Sequence, residues 1–213
     1  MKDLQEALIA LQLGGSMIYP LVFLTLLALV LTLDKIYVYW RYVRLPTSLL
    51  ELIENHDFDW STVSQNVKAL GPKNYYHQFF SIIISNHQKP SWWVSSRAAD
   101  EAQVIEKALS RGLWLLETTV TAAPLLGLLG TITGMMHSFN LIGAGGIVDP
   151  TGVTGGVAQA LIATAMGLLI ALLALFAFNY FSRLQAQTLD DMERLGTRLI
   201  DNIRLLEDSD RKG

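Results

Sequence analysis

The residues with chemistry to offer lie inside apolar stretches of this chain. Thr131 and Thr164 are two of them, one on each of the last two apolar stretches. At about 1.5 Å per residue, Thr131 lies roughly 18 Å below Gly143 and Thr164 roughly 14 Å below Gly155, so both hydroxyls fall near the middle of a bilayer. One buried Thr satisfies itself on the carbonyl a turn back. Two at matched depth predict a polar ring once several copies assemble, which makes them candidates to line an ion path. Glu117 and Ser138 share the face of Thr131 within roughly 60° on a 100°-per-residue helix. Gln159 lies about 140° around the helix from Thr164 and only about 6 Å below its outer end. Its amide either bonds a neighbouring helix or sits at the outer mouth of a polar path. Gly127, Gly130 and Gly134 let helices approach closely, the usual means of packing in lipid, where apolar burial gives no drive.

A proton relay inside a membrane normally includes a carboxylate, and this chain has none at mid-depth. Glu117 lies near the end of its stretch. By itself the chain therefore has hydroxyls to line a path and nothing to carry a proton along it.

Other chemistries are excluded by spacing. His56, His77, His87 and His137 form no ligand pair at helical spacing, and there is no Cys, so neither a metal site nor a disulfide framework is expected. Asp57 and Asp59 lack the rest of a calcium loop, and the Gly-rich stretch 143–156 has no Lys after it to serve phosphate. His137 and Ser138 are adjacent on a helix and point about 100° apart, so they form no dyad. No enzyme and no cofactor is expected. A net charge of −3, without a basic run, gives no footprint for nucleic acid.

The elements that hold these residues are membrane helices. Hydrophobic residues make up 51% of the chain and charged ones only 16%, which is unlike a soluble domain of 213 residues. The fold class expected is all-α: an integral membrane protein with three transmembrane helices, spans two and three extended into the cytoplasm. The organisation reads as an external amphipathic helix over 1–16, span one over 17–40 and a cytoplasmic helical insertion over 41–111. Span two over 112–142, an external loop over 143–156, span three over 157–182 and a helical tail over 183–213 follow. The insertion divides at its prolines into pieces over about 47–69, 73–87 and 91–111, the last expected to run unbroken into span two. Pro124 removes a backbone donor and is expected to bend span two. In the tail, Leu189, Met192, Leu195, Leu199, Ile203 and Leu206 recur at three-and-four spacing as a packing stripe. Of the 16 Lys and Arg, 15 fall in the insertion and the tail or at their borders, so these segments are assigned to the cytoplasm and the N-terminus to the periplasm.

The run Pro-Leu-Leu-Gly-Leu-Leu-Gly-Thr-Ile-Thr-Gly-Met-Met-His-Ser-Phe (124–139), with Gly-Val-Ala-Gln-Ala-Leu-Ile-Ala-Thr-Ala-Met-Gly-Leu (156–168) and Asn179, resembles the signature of the MotA/TolQ/ExbB proton channel family. The three-span layout is most similar to ExbB, since MotA proteins have four spans; TolQ is the near alternative. The resemblance implies a homo-oligomer, a pentamer in the family, around single-span ExbD-like partners whose membrane Asp carries the proton. It implies a bacterial inner-membrane setting, pore threonines at Thr131 and Thr164, and work passed by a TonB-like protein to outer-membrane transport. A TolQ-like motor for cell-envelope maintenance and a non-conducting scaffold are the rival readings. Members of the ExbB branch usually have Glu where this chain has Gln159, and an amide exchanges no proton near neutral pH. That departure leaves two readings, a titrating group wholly on the partner, which is favoured here, or a divergent branch with a different cargo.

Overall fold

The computed structural model describes residues 16–54, 59–143 and 150–212. The amphipathic helix expected before span one lies outside the described residues, apart from its last position. Among the described residues every regular element is a helix, and there is no strand. The helices are α1 (Ile18–Tyr42), α2 (Thr47–Glu54), α3 (Trp60–Ala69), α4 (Tyr75–Ser85), α5 (Ser91–Ser110), α6 (Leu113–Gly143) and α7 (Pro150–Lys212). Three stretches, Ile18–Tyr42, Ser91–Phe139 and Val153–Ser209, are long and apolar enough to cross a membrane. This is a multi-pass helical membrane protein.

Two expected boundaries move. The helix foreseen as unbroken from 91 into span two is interrupted at Arg111, whose ψ of 121° is extended, and at Gly112, whose φ of +83° is left-handed. Glycine takes that conformation without a Cβ penalty. The break is helped by Lys35, only 2% exposed, whose ammonium donates to Leu109 O at 2.6 Å. A cation there satisfies a last-turn carbonyl of α5 and faces the negative end of its dipole. A Gly directly after a last turn with Lys107 is a helix-stop signal. The second change is in the link between the last two spans: α7 already begins at Pro150, so the expected loop over 143–156 is helical in its final seven residues. Pro is preorganised for the first helical position, and an Asp precedes it in the sequence. α6 itself continues through Pro124 as one helix.

The chain divides into two compact units, one comprising the chain up to Leu33 with Gly112–Tyr180, the other Asp34–Arg111 with Phe181–Gly213. The second unit has an ordinary apolar core. Leu49, Val63, Phe80, Ile83, Ile105 and Leu109 meet the stripe of the α7 tail, where Met192, Leu195, Leu199 and Ile203 are buried. The stripe ends there, because Leu206 is 48% exposed. Helix ends in this unit are held by side chains. Asn74 accepts from the N–H of Tyr76 at 2.8 Å, and its amide donates to Arg44 O at 2.9 Å. Asp59 precedes α3 without capping its backbone, and its carboxylate accepts the hydroxyls of Ser61 and Thr62, with Ser61 foremost in holding it below the usual carboxylate range. Buried Tyr76 has its hydroxyl pushed up to about 12, chiefly by burial and next by the carboxylate of Asp191, so it stays a neutral donor.

Pro90 precedes α5 and has no side-chain group to cap it. Glu207, from the α7 tail, does so instead: its carboxylate accepts from Ser91 N at 2.8 Å and Ser91 Oγ at 2.9 Å. Glu207→Ala is expected to lower the stability of this unit by roughly 0.5–2 kcal/mol, the usual cost of losing an N-cap. Thermal unfolding of the purified protein checks it, with exposed Asp208→Ala expected to change stability by less than about 0.5 kcal/mol.

Candidate functional site in the membrane hairpin

The first unit contains the hydroxyls and glycines picked out in the sequence. Its apolar surface faces outward: Phe23, Leu125, Leu161 and Phe176 are each more than 60% exposed. So much exposed apolar area fits lipid or neighbouring subunits rather than water. What holds α6 to α7 is instead a seam of small residues. On α6 it comprises Ala123, Gly127, Gly130, Gly134 and Ser138; on α7, Gly156, Ala160, Ala163, Gly167 and Ala171. The spacing is the same on both helices, four, three, four and four residues, so each row stays on one face of a 3.6-residue helix.

The approach is backbone to backbone. A methyl built on Gly127 would lie 3.0 Å from Ala163 O and from Thr164 Cα. One on Gly134 would lie 3.0 Å from Ala160 Cβ, and one on Gly130 would lie 2.6 Å from Ala163 Cβ. One on Gly167 would lie 2.5 Å from Ala123 O. Real Cβ atoms do not come as close as those at Gly130 and Gly167 would, so these two glycines are needed for this distance of approach, while a methyl at Gly127 or Gly134 would press α7 back by a few tenths of an ångström.

The two threonines behave differently. Thr164 Oγ1 crosses the hairpin and donates to Gly127 O at 2.9 Å. Thr131 Oγ1 turns back on its own helix, donating to Leu128 O at 2.6 Å. Both side chains are half-buried. In the regular ladder of α6 the N–H of Thr131 is directed at Gly127 O as well, so one carbonyl joins the two residues. Each hydroxyl spends its proton on a carbonyl and keeps lone pairs that only accept.

The remaining polar residues are dispersed. Glu117 is exposed, whereas Ser138 is buried in the seam against Gly156, with Oγ donating to Gly134 O at 3.0 Å. They stand 21 residues apart on one helix, roughly 31 Å, so a shared face does not bring them together. Gln159 is half-buried on α7, beside seam residue Ala160. Among the described residues no three His, Asp or Glu side chains converge as a metal site would require. The sequence reading missed the α7 half of the seam, although its four-three-four spacing of small residues was there to be read. It also missed Lys35 and the fully buried Thr119, which donates to Leu115 O at 2.8 Å.

The fold and the seam define a three-span helical membrane protein built on a tight polar-lined hairpin. A sequence model of the MotA/TolQ/ExbB proton channel family matches residues 73–194. ExbB-like 1 of Synechocystis sp. is 31% identical over 197 residues, a match covering 87% of this chain and 74% of the relative. The biopolymer transport protein ExbB of Aquifex aeolicus is 37% identical over 91 residues, 43% of this chain and 62% of the relative. That of Xanthomonas campestris is 43% identical over 81 residues, 38% of this chain and 32% of the relative. The chain belongs to the MotA/TolQ/ExbB proton channel family and is most similar to its ExbB members.

Proposed function

We propose that this chain is the ExbB-like subunit of an inner-membrane motor driven by proton flow. In this reading several copies, five in the ExbB pattern, surround an ExbD-like helix whose membrane Asp carries the proton. The work done on that partner passes through a TonB-like protein to outer-membrane transport. The N-terminus lies in the periplasm, and the insertion and tail lie in the cytoplasm. The observation that carries the reading is the Thr164–Gly127 bridge beside Thr131, in a hairpin of a proton channel family. Together these residues offer hydroxyl oxygens at mid-depth with no carboxylate among them. A path so lined needs an acid from elsewhere, and a single-span partner supplies one. The chain catalyses no covalent step and needs no cofactor. The seam taken alone would also serve a scaffold that packs subunits and conducts nothing.

Proton uptake into proteoliposomes separates these readings. The chain reconstituted alone is expected to give no uptake above that of empty vesicles. Co-reconstitution with the ExbD-like partner is expected to give uptake that disappears when the partner's membrane Asp is changed to Asn. Conduction by the chain alone would overturn the assignment of the acid to the partner, and no uptake in any combination would favour the scaffold.

A further inference from the structure

The second unit carries an open groove of about 450 Å³ between α5 and the tail of α7, with Phe79 of α4 lining it. Its α5 wall runs from Ser95 to Glu106, roughly 16 Å of helix. Small residues line it: Ala98 and Ala102 on α5, Gly196 on α7. A methyl on Gly196 would lie 2.9 Å from the Phe79 ring, so the shallow wall also depends on glycine. At the rim stand Glu106 and Glu193, both exposed and without an ion-pair partner among the described residues. Other acids of the same tail are engaged locally, Asp191 with Arg194 and Asp201 with Arg204. The groove therefore combines room for close helix approach with two uncompensated negative charges.

The same unit presents a surface of matching length and opposite charge. α3 is 10 residues long, roughly 15 Å, and exposes Ser61, Gln65, Lys68 and Ala69, with Lys73 just beyond it. Lys68 and Lys73 are exposed and form no ion pair among the described residues. Short side chains at Ser61 and Ala69 permit close approach. α4 packs against both α3 and α5, so the α3 face and the groove are different surfaces of the unit.

We infer that the groove of one copy receives the exposed face of α3 from a neighbouring copy, with Lys68 and Lys73 set against Glu106 and Glu193. A contact between two different patches of the same chain is head-to-tail, and it closes into a ring when the rotation allows. The inference rests on the proposed homo-oligomer and adds to it a contact outside the membrane, steered by charge and weakened by salt.

The absence of Cys gives a clean test, since any disulfide must come from residues introduced for the purpose. Gln65→Cys and Thr197→Cys, both at exposed positions, are combined in the full chain in native membranes and oxidised mildly. A ladder of covalent oligomers that needs both cysteines is expected. Adding Glu106→Lys and Glu193→Lys is expected to lower the yield about fivefold, the scale of two exposed charge pairs. Lys68→Glu and Lys73→Glu on that background should restore it. An oligomer seen by light scattering with no 65–197 cross-link would overturn the contact while leaving the motor reading intact. So would capture of a different protein by Cys at 197. A chain that is only monomeric would overturn both.

Discussion

Gly167→Ala is expected to loosen the α6–α7 hairpin by about 1–3 kcal/mol, the usual cost of forcing a methyl into filled space. The added Cβ would lie 2.5 Å from Ala123 O and 3.1 Å from Gly127 Cα. Both are backbone atoms of α6, so no side chain can swing aside and the helices themselves must separate. Separation also stretches the Thr164–Gly127 hydrogen bond, which makes the loss larger than the contact alone. The control is Gly155→Ala on the same helix, where an added methyl meets nothing within 4 Å. There the better helix propensity of Ala is expected to hold or raise stability by up to about 1 kcal/mol. Thermal unfolding of the two variants in one detergent gives opposite signs if the seam holds the hairpin. Equal behaviour would show that the helices tolerate a wider spacing.

Thr164→Val is expected to abolish proton-driven work while the protein still assembles. Val keeps the shape and removes the hydroxyl, so Gly127 O loses its partner from α7. Interhelical hydrogen bonds in membranes contribute about 0.6 kcal/mol on average, too little to unfold the hairpin. For a path lined by acceptor oxygens the loss is larger, since the mid-depth hydroxyl that bridges the hairpin is gone from every copy. Thr164→Ser should keep the bridge and most of the activity. Energy-dependent uptake in cells, read beside the oligomer's mass, checks it. Full uptake by Thr164→Val would remove Thr164 from the path, and full uptake by Thr131→Val as well would remove the path from this hairpin.

How far these residues were legible depends on the range of the interaction that decides them. The spans were plain because length and the absence of charge are properties of a continuous segment; Ile18–Tyr42 and Leu113–Gly143 fall close to where apolarity places them. Gly127, Gly130 and Gly134 stood out because three glycines in eight residues of helix are costly unless something packs on them. The break at Gly112 was missed although a glycine after a basic last turn is a local stop signal. A continuous apolar pattern to its C-terminal side masked it. The early start of α7 at Pro150 was missed for the opposite reason, because Gly152, Gly155 and Gly156 read as loop. Gly156 is helical where it packs against Ser138, a contact 18 residues away in the chain.

The sequence by itself determined that this chain crosses a membrane with hydroxyls and glycines on its last two spans, and no acid at mid-depth. Periodicity, hydropathy and residue type are local, and they suffice for that. Only the tertiary structure decided what each hydroxyl does. Thr131 and Thr164 are alike in sequence terms, each a Thr at mid-depth that can turn back on its own helix. One does so. The other reaches Gly127 because Gly127, Gly130 and Gly134 bring the two backbones within reach, and that distance is set by the pairing of two rows of small residues across the hairpin.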